Sequence, residues 1–244
     1  MAKIQCNVIS YTLKRTVDID IILPTVSIPE SLMSDDVHHH YDSKFPVLYL
    51  LHGYGNNHAQ WCGYTNIELY AEERQIAVVM ISGENKMYLD KNNDLFSTFI
   101  QNELREFVIN TFPISSRRED SYIAGLSMGG FGALFNGMSR PDLYRAIGAF
   151  SPAVEMEGVS ESVYSVLNDY TVQNQDIFIT CGDQDFVYQT DVKFVKALKE
   201  KNVQHTWISV KDYNHEWRFW DLSVERFLDW LPRSDAYANN KRKV

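Results

Sequence analysis

The 244-residue sequence is poor in cysteine, and the arrangement of its three cysteines excludes two kinds of scaffold. Cys6, Cys62 and Cys181 are odd in number and form no CxxC pair, so neither a disulfide framework nor a zinc site is indicated. No apolar run approaches the roughly 20 residues that cross a bilayer, and residues 1–16 lack the apolar stretch of a signal peptide. We therefore expect a cytoplasmic protein that does not span a membrane.

Positive charge is also scarce. There are 23 lysines and arginines against 32 aspartates and glutamates, which gives a formal net charge of −9. A nucleic-acid backbone would be repelled over most of such a surface, and the one basic run, residues 241–243, is at the extreme C-terminus. Nucleic acid is therefore not expected as a partner, whereas a homo-oligomer is compatible with this composition.

The hydrophobic pattern changes along the chain from alternating to nearly continuous. Residues 3–11 and 16–24 alternate apolar with polar side chains, which predicts two antiparallel strands at a sheet edge. Residues 24–46 are polar and lack apolar periodicity, which indicates a surface loop. Short, nearly continuous apolar runs then predict parallel strands covered on both faces, at 47–51, 76–81, 121–126, 146–150, 177–181 and 205–210.

Helical patterns lie between these runs. Apolar residues recur at helical spacing over 94–112 and 215–231, and no linker-like composition or internal repeat divides the chain. This alternation predicts an α/β fold with a mostly parallel central sheet, helices on both faces and an antiparallel N-terminal edge. We expect residues 1–244 to form one such domain.

The most informative motif is GxSxG at residues 125–129, between an apolar strand and a helix-compatible stretch. Such a serine occupies a strained strand-to-helix turn, where side chains two residues before and after it would collide with neighbouring backbone. The helix N-terminus also favours developing negative charge. Ser127 is therefore the predicted nucleophile.

A serine nucleophile needs a histidine base and an orienting carboxylate, which in this fold follow it in the order acid, then histidine. Asp183 and Asp185 both follow the strand at 177–181, and the residues alone scarcely separate them, although Asp185 is preferred. His215 follows the strand at 205–210 and is the predicted base. His205 begins that strand instead, so it should point away from the active edge.

The predicted oxyanion hole combines one N–H after the nucleophile with one from the turn after the first central strand. Met128 supplies the first, and Tyr54 is the preferred source of the second. Gly55 is the reserve donor and a candidate substrate contact. His52 precedes the serine in a structural turn, so we expect it to pack beneath the loop rather than to act as the base.

Three aromatic residues, Trp61, Tyr88 and Trp217, are candidate substrate contacts, although aromatic side chains belong to the core more often. A different interpretation takes His38, His39 and His40, with Asp35, Asp36 and Asp42, as a metal-binding element. Adjacent loop histidines cannot readily converge on one ion, so no metal or other cofactor is expected.

Four motifs in order carry a family resemblance: LLHGYGNNH at 50–58, AGLSMGGFG at 124–132, CGDQDFVY at 181–188 and NHEW at 214–217. The chain resembles the putative-esterase (esterase D-like) family from about Pro46 to Leu231, and looks most like the small bacterial tributyrin esterases. This resemblance implies an α/β-hydrolase with Ser127 as nucleophile and His215 as base. In the family's acidic motif the triad acid precedes an aromatic residue, which favours Asp185, before Phe186, over Asp183.

Two segments depart from the family. Residues 152–176, where relatives commonly carry a longer insertion over the site, are few and imply a reduced lid, and 82–90 replaces an aromatic-rich loop while retaining Tyr88. The expected function is that of a serine carboxylesterase acting on short-chain acyl esters of small molecules. The alternatives are a carbohydrate acetyl or feruloyl esterase, an S-formylglutathione hydrolase-like thioesterase, and a metal-binding or inactive scaffold protein.

Overall fold

A computed structural model describes residues 1–38, 43–155, 163–171 and 174–233 of the chain. Its strands are β1 (Ala2–Ser10), β2 (Arg15–Leu23), β3 (Val47–Leu51), β4 (Ala77–Ile81), β5 (Asp90–Lys91), β6 (Asp94–Leu95), β7 (Ser121–Leu126), β8 (Ala146–Phe150), β9 (Asp176–Gly182) and β10 (His205–Val210). Eight of them form one sheet in the order β1-β2-β4-β3-β7-β8-β9-β10, and β5 pairs with β6 in a separate hairpin.

Helices cover both faces of this sheet. They are α1 (Ile28–Met33), α2 (Gln60–Tyr64), α3 (Ile67–Glu73), α4 (Phe96–Thr98), α5 (Leu104–Thr111), α6 (Met128–Ser139), α7 (Val163–Asp169), α8 (Tyr188–Glu200) and α9 (Trp217–Trp230). A π-helical turn, Phe99–Glu103, joins α4 to α5. One apolar core lies between the sheet and α4 to α8, and a second lies between the sheet and α2, α3 and α9.

The predicted sheet is confirmed. β1, β2 and β4 pair antiparallel, whereas the remaining pairs in the large sheet are parallel. Every residue of β3, β4, β7 and β8 is buried, because helices lie on both faces of these strands. This burial explains why their sequences read as continuous apolar runs.

Parallel pairing brings the functional loops to one edge. Leu51 of β3 pairs with Gly125 of β7, and Val210 of β10 pairs with Gly182 of β9. The chain therefore leaves β3, β7, β9 and β10 at the carboxyl edge of the sheet, where α/β proteins bind their ligands.

The prediction of a surface loop over 24–46 is corrected by the structure, because part of this segment forms the helix α1. Ser27 Oγ accepts a hydrogen bond from the Glu30 N–H at 3.4 Å, and Glu30 Oε2 accepts one from the Ser27 N–H at 2.7 Å. This capping box begins the helix locally. Because α1 buries none of its residues, it has no apolar periodicity that a pattern search could detect.

The segment predicted as a reduced lid, 152–176, also contains a helix. Val163 and Leu167 of α7 are buried in the core on one side of the sheet. This part of the segment therefore packs as scaffold.

Candidate active site

Ser127 occupies a strained turn between β7 and α6. Its backbone lies in the left-handed region, with φ 52° and ψ −115°, a conformation that costs a non-glycine residue about 1–3 kcal/mol. The Ser127 N–H donates to the Phe150 carbonyl at 2.9 Å, and the Ser127 carbonyl accepts from the Ala153 N–H at 3.0 Å. These bonds to the end of β8 and to the segment after it hold the strained turn in place.

The glycines on either side of Ser127 allow close backbone contact. A Cβ on Gly125 would collide with the Gly129 carbonyl, and a Cβ on Gly129 would lie 2.6 Å from the His52 carbonyl oxygen and closer still to that of Leu51. Both distances are far inside van der Waals contact. The motif is therefore needed to pack the turn against the end of β3.

Gly129→Ala is expected to lower both stability and turnover. The added methyl must push α6 away from β3, at an overpacking cost of about 1–3 kcal/mol, which corresponds to roughly 5 °C in Tm for a chain of this size. The same shift moves Ser127, so kcat should fall by at least about tenfold. Thermal melts and ester kinetics would test this. Gly63→Ala is the matched control, because a Cβ there meets nothing within 4 Å and its Tm should not fall.

Three side chains from separate loops meet at this turn. His215 Nε2 lies 3.0 Å from Ser127 Oγ, and His215 Nδ1 lies 3.0 and 2.9 Å from the two carboxylate oxygens of Asp185. The imidazole is thus within hydrogen-bond distance of a nucleophile on one side and an orienting acid on the other. This is the arrangement that removes a proton from serine during attack.

Asp185 is buried and charged. Burial opposes the charged form, but hydrogen bonds from His215, the Val187 N–H and Ser151 outweigh it, so the pKa of Asp185 lies below its usual value. The Val187 N–H donates to Asp185 Oδ1 at 3.0 Å. Asp185 is therefore a fixed carboxylate at neutral pH.

Asp183, the alternative acid, faces elsewhere. Its Oδ1 accepts from the Asp212 N–H at 2.8 Å and from the Gln184 amide at 3.1 Å. It therefore ties the turn after β9 to the loop after β10. His205 begins β10 at the opposite edge, where its Nδ1 lies 2.8 Å from the Val203 carbonyl.

The loop after β3 lies beside the nucleophile. A Cβ built on Gly53 would be 3.5 Å from Ser127 Cβ. The Gly55 N–H donates to Asn85 Oδ1 at 2.7 Å, which favours Tyr54 over Gly55 as the free oxyanion donor. Met128 is the first residue of α6, so its N–H is one of those that a helix leaves without an intrahelical acceptor.

His52 supports this loop from below. Its Nε2 accepts the Gly83 N–H at 2.7 Å, so the proton of the neutral ring is on Nδ1, which donates to the Gly53 carbonyl at 2.7 Å. Burial and, to a smaller extent, nearby His58 outweigh the Gly53 bond and lower the pKa of His52 to about 4. His52 is thus a structural imidazole.

This burial predicts an acid-labile loop. The pKa of His52 is about 4 when folded and about 6.5 when unfolded, so between these values the unfolded chain binds more protons. The His52 contribution to stability should therefore fall by about 3 kcal/mol as pH drops from 6.5 to 4. Urea unfolding of the wild type and of His52→Gln across this range would measure it. The free energy of unfolding should fall less steeply with falling pH in His52→Gln than in the wild type; an equal pH dependence in the two proteins would contradict the assignment.

Two of the predicted substrate contacts are not at the surface. Trp61 and Tyr88 are fully buried, where Trp61 Nε1–H donates to the Leu51 carbonyl at 3.1 Å and Tyr88 Oη–H to the His52 carbonyl at 2.9 Å. They therefore brace the end of β3 and the loop after it. Trp217 is half-buried and stacks on Tyr64 with ring centroids 5.0 Å apart.

Two aromatic side chains that were not predicted as substrate contacts, Phe186 and Trp220, pack against the imidazole of His215. Phe186 is 79% exposed, and its ring centroid lies 4.4 Å from that of His215. Trp220 packs edge-on against the same imidazole at 4.9 Å. The position of Phe186 directly after Asp185 was the sequence signal that could have identified it. Tyr54, at 65% exposure, presents a further aromatic ring on the loop after β3.

The histidine run lies largely beyond the described residues, which include His38 but not His39, His40 or Asp42. Within the described ranges, no group of three or more His, Cys, Asp or Glu side chains could hold a metal ion. In the same ranges, none of the helices has the length and hydropathy needed to cross a membrane.

Comparison with known proteins connects this geometry to a family. The family model described as "Putative esterase" matches residues 10–233. A curated acetyl esterase from Caldicellulosiruptor saccharolyticus is 31% identical over 270 residues, covering 96% of this chain and 99% of the relative.

Two solved structures from Staphylococcus aureus are similar to this one, each at 26% identity. An S-formylglutathione hydrolase has a TM-score of 0.82, with 94% of this chain and 98% of the other covered. The fluorophosphonate-binding serine hydrolase F, in a substrate-bound state, has a TM-score of 0.84, with 96% and 99% covered. The fold described above is therefore the α/β-hydrolase fold.

Proposed function

We propose that this chain, which belongs to the putative esterase family and is a carboxylic ester hydrolase, cleaves short-chain acyl esters through an acyl-enzyme on Ser127. The observation that carries the proposal is the His215 imidazole, 3.0 Å from Ser127 Oγ and 2.9 Å from Asp185. Membership in this family favours ester hydrolysis over the metal-binding and inactive-scaffold alternatives.

In the acylation step, Ser127 Oγ attacks the ester carbonyl carbon while His215 Nε2 accepts the serine proton. Asp185 keeps the ring in the tautomer that presents a free Nε2 and stabilises the imidazolium that forms. The carbonyl oxygen becomes an oxyanion that the Met128 and Tyr54 N–H groups stabilise at the helix N-terminus. The tetrahedral intermediate collapses, His215 returns the proton to the departing alkoxide, and the alcohol leaves.

Deacylation repeats the sequence with water. His215 removes a proton from a water molecule, whose oxygen attacks the acyl carbonyl of the Ser127 ester. Collapse of the second intermediate breaks the bond to Ser127 Oγ, which recovers its proton from His215. The products are the free acid and the original enzyme, and this mechanism requires no cofactor.

We expect the specificity constant to be highest for acetyl to butyryl esters. Residues 152–176 provide little material for a deep apolar groove, so each added methylene should recover little of the roughly 0.8 kcal/mol available from full burial. A p-nitrophenyl ester series below micellar concentration would test this, with kcat/KM declining by octanoyl. A steady rise from acetyl to decanoyl would show instead that the chain builds a long acyl tunnel.

A thioester is the second candidate substrate, because a solved relative with a TM-score of 0.82 is an S-formylglutathione hydrolase. Ester and thioester would use the same triad, so only the leaving group and its binding differ. Comparing kcat/KM for p-nitrophenyl acetate, an acetylated sugar, a feruloyl ester and S-formylglutathione would decide between them. A preference of about 100-fold or more for the glutathione thioester would replace the ester proposal. Small-molecule substrates and a cytoplasmic location are part of the same proposal.

A further inference from the structure

A second buried carboxyl group, that of Asp191, lies close to the triad acid and has no part in the mechanism above. Asp191 is in the first turn of α8, and its exposed fraction is 0%. Apart from the Cys181 thiol, its carboxyl oxygens have no hydrogen-bond partner among the described residues. A carboxyl group buried with only a weak thiol donor is costly, so its presence beside a catalytic site requires an explanation.

Asp191 and Asp185 are connected through one residue. The Val187 N–H donates to Asp185 Oδ1 at 3.0 Å, and the Val187 carbonyl accepts the backbone N–H of Asp191, also at 3.0 Å. A displacement of the first turn of α8 would therefore move the N–H that fixes the carboxylate of Asp185.

Polar side chains from β9 and the end of β8 complete the connection. Cys181, whose thiol interacts with the Asp191 carboxyl, has its Sγ 3.9 Å from Ser151 Oγ. Ser151 Oγ also accepts from Trp220 Nε1 at 3.4 Å, and the Ser151 side chain is a hydrogen-bond partner of Asp185. These groups form a buried polar layer from Asp191 to the triad acid.

The ionisable groups that face Asp191 are all acidic. They are Asp185 from the turn before α8, the Cys181 thiol from β9 and Tyr164 from α7, whose hydroxyl contacts Glu155. No lysine, arginine or histidine in the described ranges pairs with Asp191. Burial and the charge of Asp185 raise the pKa of Asp191 to about 9, against the thiol bond. At neutral pH the layer therefore holds one carboxylate and one carboxylic acid.

We propose that Asp191 is a positioning residue of the triad, whose uncharged carboxyl allows Asp185 to carry the single negative charge of this buried layer and to hold His215. The inference rests on the proposed triad mechanism. Two neighbouring buried carboxylates repel each other, and a charged Asp191 needs water or a displaced helix turn to be solvated. Loss of the Asp191 proton thus withdraws the Val187 N–H from Asp185 and releases His215.

The pH profile of turnover tests this directly. We would measure kcat from pH 7.5 to 10 for the wild type, for Asp191→Asn and for Glu200→Gln, an exposed carboxyl at the other end of α8. With each enzyme normalised to its own value at pH 7.5, the wild type and Glu200→Gln should lose about tenfold by pH 10. Asp191→Asn, which has no proton to lose, should stay within about twofold. An alkaline loss of the same midpoint and size in Asp191→Asn would overturn the proposal.

A fluorophosphonate probe separates this inference from the choice of substrate. Ser127 Oγ forms a bond to phosphorus, fluoride leaves and His215 takes the serine proton, so the labelling rate reports the triad without ester turnover. If esters are not hydrolysed but labelling slows at alkaline pH only in enzymes that retain Asp191, the proposed substrate class fails and the inference stands. Coincident labelling profiles for the wild type and Asp191→Asn would refute the inference even if esters are turned over.

Thermal stability provides a test that does not depend on activity. In the folded protein Asp191 stays protonated up to about pH 9, whereas in the unfolded chain it loses its proton near pH 4. Between these pH values the folded state binds more protons, so the contribution of Asp191 to the free energy of unfolding falls as pH rises. The Tm of Asp191→Asn minus that of the wild type should therefore increase from pH 5 to pH 8. A difference that is constant across this range would show that Asp191 is not buried as a neutral acid.

Discussion

Replacing Ser127 with alanine is expected to lower kcat by about 10⁵-fold while leaving the fold intact. The hydroxyl oxygen is the only heavy atom lost, and it lies 3.0 Å from His215 Nε2 and would form the acyl bond in the proposed mechanism. The backbone strain at φ 52° is shared by serine and alanine, so the Tm should change by less than about 2 °C.

Steady-state kinetics on p-nitrophenyl acetate, with circular dichroism as the check on folding, would measure this effect. Ser209→Ala is a matched control, because Ser209 is an exposed residue of β10 whose Oγ–H donates to the Tyr188 hydroxyl at 3.0 Å and takes no part in the triad. The control should keep wild-type kcat. A folded Ser127→Ala enzyme that retained more than a tenth of the wild-type kcat would exclude the serine mechanism.

Asp185→Asn is expected to cost about 10³ to 10⁴-fold in kcat, with a much smaller change in KM. An amide in this position presents an N–H₂ group to His215 and favours the tautomer with its proton on Nε2. That ring can no longer accept the proton of Ser127. The loss should therefore appear in the chemical step.

Asp183→Asn provides the comparison, since it makes the same change two residues away. Its Oδ1 accepts from the Asp212 N–H, a bond that an amide oxygen can replace, so kcat should change by less than about threefold. Measuring both variants with one substrate at pH 8 decides which aspartate is the acid. A larger loss in Asp183→Asn would transfer that role to Asp183.

The sheet was predictable because its pattern is strong and repeated. Strands such as β3 and β7 are buried on both faces and read as unbroken apolar runs, and the strand-to-helix context of Ser127 identifies the carboxyl edge of the sheet. α1 was not predictable from periodicity, because it is held by the Ser27 capping box and buries nothing. Hydrophobic patterns therefore locate the core but miss exposed local structure.

The chain order of the site groups was predictable, but the direction of each side chain was not. Asp183 and Asp185 occupy one turn, where pattern and spacing scarcely separate them, and the hydrogen bonds to Asp212, Val187 and His215 show which of them faces the imidazole. The burial of Trp61 was not predictable either, because the sequence does not show how deeply an aromatic side chain lies below the surface.

The location of the acyl group during turnover tests nucleophilic catalysis by Ser127 most directly. Wild-type enzyme mixed with p-nitrophenyl acetate and quenched in acid within milliseconds should carry one acetyl group per chain. Peptide mass spectrometry should place it on Ser127, and Ser127→Ala should carry none. An acetyl group on another residue, or rapid turnover with no acylated peptide under conditions where the substrate saturates the enzyme, would contradict nucleophilic catalysis by Ser127.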